Sequence, residues 1–435
     1  MSAGGARVVR PDRSQLRFEM IDMDALLGGD HAARLVWAFV EGMNLDGFYE
    51  AIGSREGEAG RPAADPAVLL ALWLFAAIEG VGSAREIERL VERDVAYRWL
   101  AGGVEVNYHG LSDFRAGHGD LLDRLLSESV AALVAEGLVN LDEVLTDGTK
   151  VQASAGKGSF AGEGKLIRIE RLAAERIALL KAELETDPGA SSRRRKAAQE
   201  RAARGLARRA EEARKALAKL RREKDRRSAS HGKDEAAKGE PRVSLSDPEA
   251  RHMRFPDGAV RPAYNMQIAA CANGLVLAAE ATDRRNDTGL AVPMVERIEA
   301  RYGRRPLRLI ADSKYATAGD IEALATNPRG AVMVYAPPPE ERQDVKPDTL
   351  RRRLAARARE PEAVKDWRAR METSEGLAVY ARRRRIELVN AHFKNRGFAR
   401  LGLRGLVKAK IVAVLHALAH NIMLADHLRK LGSPA

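Results

Sequence analysis

A single cysteine, Cys271, stands in a chain of 435 residues. That excludes a disulfide framework and any thiolate metal cage built within one chain. Long hydrophobic runs are missing too: the longest uninterrupted one, Ala67–Ile78, is too short to cross a bilayer. The N-terminal stretch has no apolar signal segment, so a cytoplasmic protein with no membrane span is expected. No repeat of solenoid period is visible. Against these absences, 45% of the residues are hydrophobic. That is enough for sizeable cores, and the length exceeds one ordinary domain.

Acidic side chains are outnumbered, 61 against 73 lysines and arginines, for a net charge of +12. Such a surplus points to a polyanionic partner, usually nucleic acid. It is unevenly placed. The first 150 residues are net acidic, whereas 157–233 hold 23 basic and 11 acidic residues, and 378–430 hold twelve and two. A nucleic-acid backbone is therefore expected along those two segments.

Residues 1–140 read as a helical domain for DNA binding or dimerisation. Leu35, Val36, Phe39, Val40 and Met43 recur at helical spacing. Asp65-Pro66 opens an apolar helix to about Glu79, and Ser83-x-x-Glu86 has the spacing of a capping box for the next. Two helices around Gly80 and Gly82 can be a helix-turn-helix or a plain hairpin, and the acidic balance favours the hairpin. A further helix is expected from about Asp120 to Glu136, stopped by Gly137.

The pattern then turns to strands. Val144 to Val151, Tyr264–Cys271 and Leu275–Thr282 are β-rich, and Asn273-Gly274 between the last two is a hairpin signal. An amphipathic stretch over 289–302, an apolar run Leu307–Ala311 and a strand at Ala331–Tyr335 continue an α/β alternation up to the prolines at 337–339. The expected class is α/β (α+β), with the catalytic core over 141–160 plus 260–430. Between its parts, 161–230 reads as a charged helical insertion, proline-free except for Pro188. Leu166, Ile169, Ala173, Ile177, Leu180 and Leu184 form its seam; 231–259 reads as loop. The insertion is either a solvated hairpin or a DNA contact.

The most specific spacing lies near the C-terminus. Tyr380, Arg383, Glu387 and Lys394 are three, four and seven residues apart, which places them on one face of a helix. An arginine one turn from a glutamate is a common helix-stabilising pair. Four consecutive arginines, 382–385, make more sense beside a phosphate backbone. Asp312 ends an apolar strand, the edge where α/β sheets bind ligands. Asp147 lies inside a strand-like run, although Asp147-Gly148 can also be a hairpin turn. Three carboxylates from two strands and a helix suit paired Mg²⁺ ions.

These residues carry a resemblance. Tyr380-x2-Arg383-x3-Glu387-x6-Lys394 resembles the Y-R-E-K signature of bacterial insertion-sequence transposases with a DDE catalytic triad. Leu145-Thr-Asp147-Gly-Thr-Lys150 and Ile310-Ala-Asp312-Ser-Lys-Tyr315 resemble that family's two aspartate strands. Arg396-Gly-Phe398 through Leu403-Arg-Gly-Leu406 resembles the segment after its glutamate helix. Gly60-Arg-Pro62, Ala96 to Leu100, Leu111 to Arg115, and Tyr264 to Gln267 ahead of Asn286-Asp287 are similar to the family as well. The chain departs from it at Lys314, where glycine usually precedes the tyrosine.

The resemblance implies an RNase H-like core in which Asp147, Asp312 and Glu387 are catalytic and hold two Mg²⁺ ions, with Mn²⁺ able to substitute. It implies cleavage at element ends and joining of the 3′-hydroxyl to target DNA by a homodimer. DNA contacts are expected from Tyr380, Arg383, Arg384, Lys394, Arg404 and Lys150. The alternatives are a metal-dependent nuclease without strand transfer and an inactive DNA-binding regulator. His416 and His420, four apart, have zinc-pair spacing, but their apolar neighbours favour packing. Cys271, Trp37, Trp73 and Trp99 read as core; Trp367 is either core or a base-stacking residue.

Overall fold

Asp65 accepts a hydrogen bond from the Ala67 amide at 2.8 Å and so caps the helix that follows. The computed structural model describes residues 20, 22–54, 62–186, 190–231, 239–338 and 347–432. Gly60, Arg61 and Pro339 of the segments above lie outside the described residues. The N-terminal helices are α1 Ala32–Glu41, α2 Asp46–Glu50, α3 Pro66–Glu79, α4 Ala84–Arg93, α5 Val95–Ala101, α6 Tyr108–Gly117 and α7 Gly119–Ala135. Helix α3 is apolar on every side and buried from Val68 to Ala77. Each large side chain there contributes roughly 1.5–3 kcal/mol. Ser83 precedes α4, but its hydroxyl makes no cap bond, so the expected capping box is not formed.

A mixed sheet follows, built from β1 Glu143–Gln152, β4 Arg251–Arg254, β5 Val260–Cys271, β6 Val276–Thr282, β7 Arg308–Ile310 and β8 Met333–Tyr335. Its order is β6-β5-β1-β7-β8, with β4 beside the start of β5. β6, β5 and β1 run antiparallel in turn, while β1, β7 and β8 are parallel. Those directions and that order are the RNase H-like arrangement. Asp147 faces Ile268 in mid-strand, so Asp147-Gly148 is no turn. The turn is at Asn273-Gly274, where Gly274 has φ +90.

Helix α10 Ala291–Tyr302 joins β6 to β7, and α11 Ala318–Ala325 joins β7 to β8. α12 Pro347–Ala358, α13 Glu362–Glu372 and α14 Ser374–Tyr380 lead through a 3-10 turn, Ala381–Arg383, into α15 Arg384–Asn395. The last helix, α16 Leu406–Leu431, packs against β6, α7 and α3. One continuous apolar core therefore joins the N-terminal helices to the sheet. Among the described residues, α16 is the one single helix long and apolar enough to cross a membrane, yet 72% of its apolar window is buried inside the protein.

The insertion is a hairpin of α8 Glu163–Thr186 and α9 Ala190–His231, closed at its base by β2 Phe160–Ala161 and β3 Val243–Ser244. Leu166, Ala173 and Leu180, seven apart, bury against α9, where Ala213 and Leu217 are also buried. Arg214–Glu170 and Arg221–Glu163, both 2.6 Å, tie the two helices together. These pairs use acids already counted, so the hairpin keeps its basic surplus. The segment 231–259 differs from the loop read in the sequence: β3 and β4 lie in it, β3 because it pairs with the remote β2, β4 because it folds back on β5 through the turn at Asp257-Gly258.

Candidate active site

Three segments meet beyond the carboxyl end of β7, beside the middle of β1. Asp147 lies on that strand, Asp312 follows β7, and Glu387 is in the first turn of α15. β1 and β7 stay paired only as far as Leu145 and Ile310. Beyond them the β1 edge is open until Gln152, whose amide bonds the Ala399 carbonyl at 3.0 Å. A crevice at the carboxyl ends of parallel strands is the usual ligand position in such sheets.

Arg383 binds the carboxylates together. Its Nη2 lies 3.3 Å from Asp147 Oδ1, its Nη1 donates to Glu387 Oε1, and its charge also acts on Asp312. Tyr380 sits beside the same guanidinium, in the field of Asp312 and Glu387. The four residues at helical spacing are not on one unbroken helix: a 3-10 turn separates Tyr380 from Glu387. Tyr380 and Arg383 keep right-handed helical backbone angles, so the face is preserved.

Asn390, one turn beyond Glu387, donates from Nδ2 to Asp147 Oδ2 at 2.9 Å. Its Oδ1 is buried with no partner. Burial pushes the Asp147 carboxyl above its ordinary value; the Arg383 charge opposes this and the Asp287 charge adds to it. Asp312 Oδ1 accepts the Ser313 amide at 2.8 Å. Lys314 is exposed while Tyr315 is fully buried, its hydroxyl 2.9 Å from that of Thr146. No non-glycine residue among those described has a positive φ, so lysine fits the backbone where glycine was expected.

Of the four arginines, Arg382 bonds Glu143 Oε2 at 2.8 Å and Arg383 bonds Asp147 and Glu387. Carboxylates therefore neutralise two of them; the Arg383–Glu387 pair was visible in spacing, the partners on β1 were not. Arg384 and Arg385 are exposed and line an open groove with Arg382, Glu387 and Leu388.

The donor set is all oxygen, which suits a hard divalent cation. The partnerless Asn390 oxygen and a guanidinium held between carboxylates mark the same place as one for positive charge. Among the described residues, no three His, Cys, Asp or Glu side chains yet stand close enough to hold a metal ion.

Residues 241–422 match the model of the Transposase DDE domain, and residues 21–117 match that of a Transposase domain (DUF772). The chain belongs to the DDE-type insertion-sequence transposases. No curated protein and no solved structure matches it. In this transposase Asp312, Glu387 and the basic residues around them fall within the DDE match, while Asp147 lies outside both.

The other expected DNA-contacting residues are scattered. Lys394, two turns past Glu387, is exposed. Lys150 bonds the Arg254 carbonyl at 2.7 Å, and Arg404 bonds the Ser154 carbonyl at 3.1 Å; neither joins the carboxylates. Arg404 instead lines a pocket with Lys165, Arg209, Ser159 and Ser246 at the base of the transposase's insertion. Trp367 is buried, and its Nε1 bonds the Ala336 carbonyl at 3.0 Å, so it packs rather than stacks on a base. His416 and His420 are buried in α16; His420 Nε2 lies 3.1 Å from the Gly274 carbonyl. Cys271 is buried in β5.

Sequence reasoning passed over Asn390, and it read Arg382 as facing phosphate where the structure pairs it with Glu143. Asn390 is seven residues from Arg383, a helical repeat that could have placed it on the same face. Glu143, the partner of Arg382, was visible only as one more acid in a strand.

Proposed function

We propose that this transposase cuts DNA at element ends and joins the freed 3′-hydroxyl to target DNA, with Asp147, Asp312 and Glu387 as its catalytic carboxylates. The observation that carries the reading is one guanidinium, Arg383, bonded to Asp147 from β1 and Glu387 from α15 beside Asp312. Three acids from three segments share one site for positive charge at the open edge of the sheet. DDE transposases generally use divalent metals, and Mg²⁺ or Mn²⁺ held here would lower the pKa of an attacking water and offset charge on the phosphate.

Asp147 must be ionised to act. Burial opposes ionisation, while Asn390 and Arg383 favour it by hydrogen bonding the charged form. Arg383, which a cation on these carboxylates would release, would hold a DNA phosphate, with Tyr380 beside it. Arg384 and Lys394 extend the positive surface along α15. Arg404 and Lys150 contact DNA farther from the cut. Two DNA ends must be joined, which calls for a homodimer on DNA.

The test uses the full chain, labelled element-end DNA and an unlabelled target with Mg²⁺. Joined products carrying the label are expected. Cut ends without joined products would instead show a nuclease, and binding with no cut would show a regulator.

A further inference from the structure

Three cations from three segments converge at the base of the insertion: Lys165 of α8, Arg209 of α9 and Arg404 of the core. They line one pocket, and no acid lines it with them. Elsewhere on the same two helices Arg214 and Arg221 are matched by Glu170 and Glu163. No ion pair to Lys165, Arg209 or Arg404 is found among the described residues. All three side chains are exposed. Like charges gathered without a counter-charge repel one another, and a bound anion offsets that repulsion.

A basic track joins this pocket to the carboxylates. From 388 to 425 the chain has no acidic residue. Lys394 leaves the crevice on α15, and 399–401 then lies along the edge of β1 that β7 leaves open. There the Gln152 amide bonds the Ala399 carbonyl at 3.0 Å, and the Leu401 amide bonds the Gln152 carbonyl at 2.9 Å. Arg400 between them is exposed. Arg404 follows, anchored through Nε to the Ser154 carbonyl at 3.1 Å, which leaves the outer end of its guanidinium for the pocket. Asp147 and Gln152 are both on β1, with Ser154 two residues beyond. At ~3.4 Å per strand residue the pocket begins roughly 20 Å from Asp147. Duplex DNA rises ~3.4 Å per base pair, so that span is about six base pairs.

We propose that the pocket grips a backbone phosphate of duplex DNA about six base pairs from the cut. The insertion is thus an arm that holds DNA and not a solvated hairpin. Its unmatched surplus, 23 basic against 11 acidic residues over 157–233, is turned to use there. The inference rests on the proposed function, which sets the duplex at the carboxylates.

The experiment is phosphate ethylation interference on labelled element-end duplex, using the full chain as wild type and with Lys165→Ala and Arg209→Ala together. Both side chains are exposed, so the thermal midpoint of the double variant should match wild type. Wild type should show interference at the cut and again about six base pairs away. In the double variant the distal interference should vanish while that at the cut persists. Its binding should be about tenfold weaker or worse, with a salt slope smaller by about 1–2. Unchanged distal interference and salt slope in the double variant, with nicking intact, overturn the inference and leave the proposed function standing. Interference confined to the cut in wild type does the same. No interference at the cut and no nicking by wild type overturn both. Titration with inorganic phosphate separates a free anion from DNA: a rise in thermal midpoint in wild type alone, with identical interference in both proteins, assigns the pocket to a small anion and overturns the DNA contact.

Discussion

Arg383 Nη2 lies 3.3 Å from Asp147 Oδ1, joining the turn before α15 to the central strand. The same guanidinium bonds Glu387, so it stands where the proposed function would place a cation. A metal held by both carboxylates would have to displace it. Arg383→Ala is expected to tighten Mn²⁺ binding severalfold in the absence of DNA, while lowering DNA cleavage at least tenfold. Calorimetric titration and a nicking assay read the two effects. Weaker Mn²⁺ binding in the variant would show that Arg383 supports the carboxylates instead of standing in for the ion.

Gly148→Ala should be poorly tolerated, because the new methyl meets Asp287 at 2.0 Å. A loss of about 1–3 kcal/mol is expected, as for an overpacked core site. Adding Asp287→Ala should recover most of it, since the clash is with that side chain. Denaturant unfolding of the single and double variants measures the coupling; additive losses would place the strain elsewhere.

His416 and His420 give the stability a pH dependence. Burial pushes them down to about 3 and about 4, so both stay neutral in the fold. The unfolded chain takes up their protons near pH ~6.5. Their contribution is therefore full above about pH 6.5 and is lost as pH falls through that value toward about 4, by up to about 1.4 kcal/mol per pH unit for each histidine. His416→Leu should flatten the fall in thermal midpoint over that window. An unchanged slope would mean that His416 takes up its proton without unfolding.

Arg404, Lys165 and Arg209 share one pocket between the insertion and the core. If that pocket holds a DNA phosphate, Arg404→Ala should weaken binding to all sequences alike and lower the salt slope by about 1. Fluorescence anisotropy across a salt series reads this, and an unaltered slope removes Arg404 from the DNA contact.

Much of this was legible in residue order. The strand run around Asp147, the Asn273-Gly274 turn and the apolar helix opened by Asp65 each depend on local spacing, and each formed. The helix face of Tyr380, Arg383 and Glu387 was visible for the same reason. Other features depend on contacts remote in sequence. The short strand β3 pairs with β2, some eighty residues earlier, and could not be told from loop by its two residues. Arg382 looked like surplus charge because its partner, Glu143, is 239 residues away. Asp287 could be noted as part of a resemblance, but its placement on Gly148 required the fold.

The most direct test of the account is metal-dependent nicking of element-end DNA by wild type and Glu387→Gln, beside a chelator control and a DNA-binding assay. Nicking at the element boundary with Mg²⁺ or Mn²⁺, abolished in Glu387→Gln while DNA binding persists, is the predicted result. Full nicking by Glu387→Gln would contradict a cut centred on Asp147, Asp312 and Glu387.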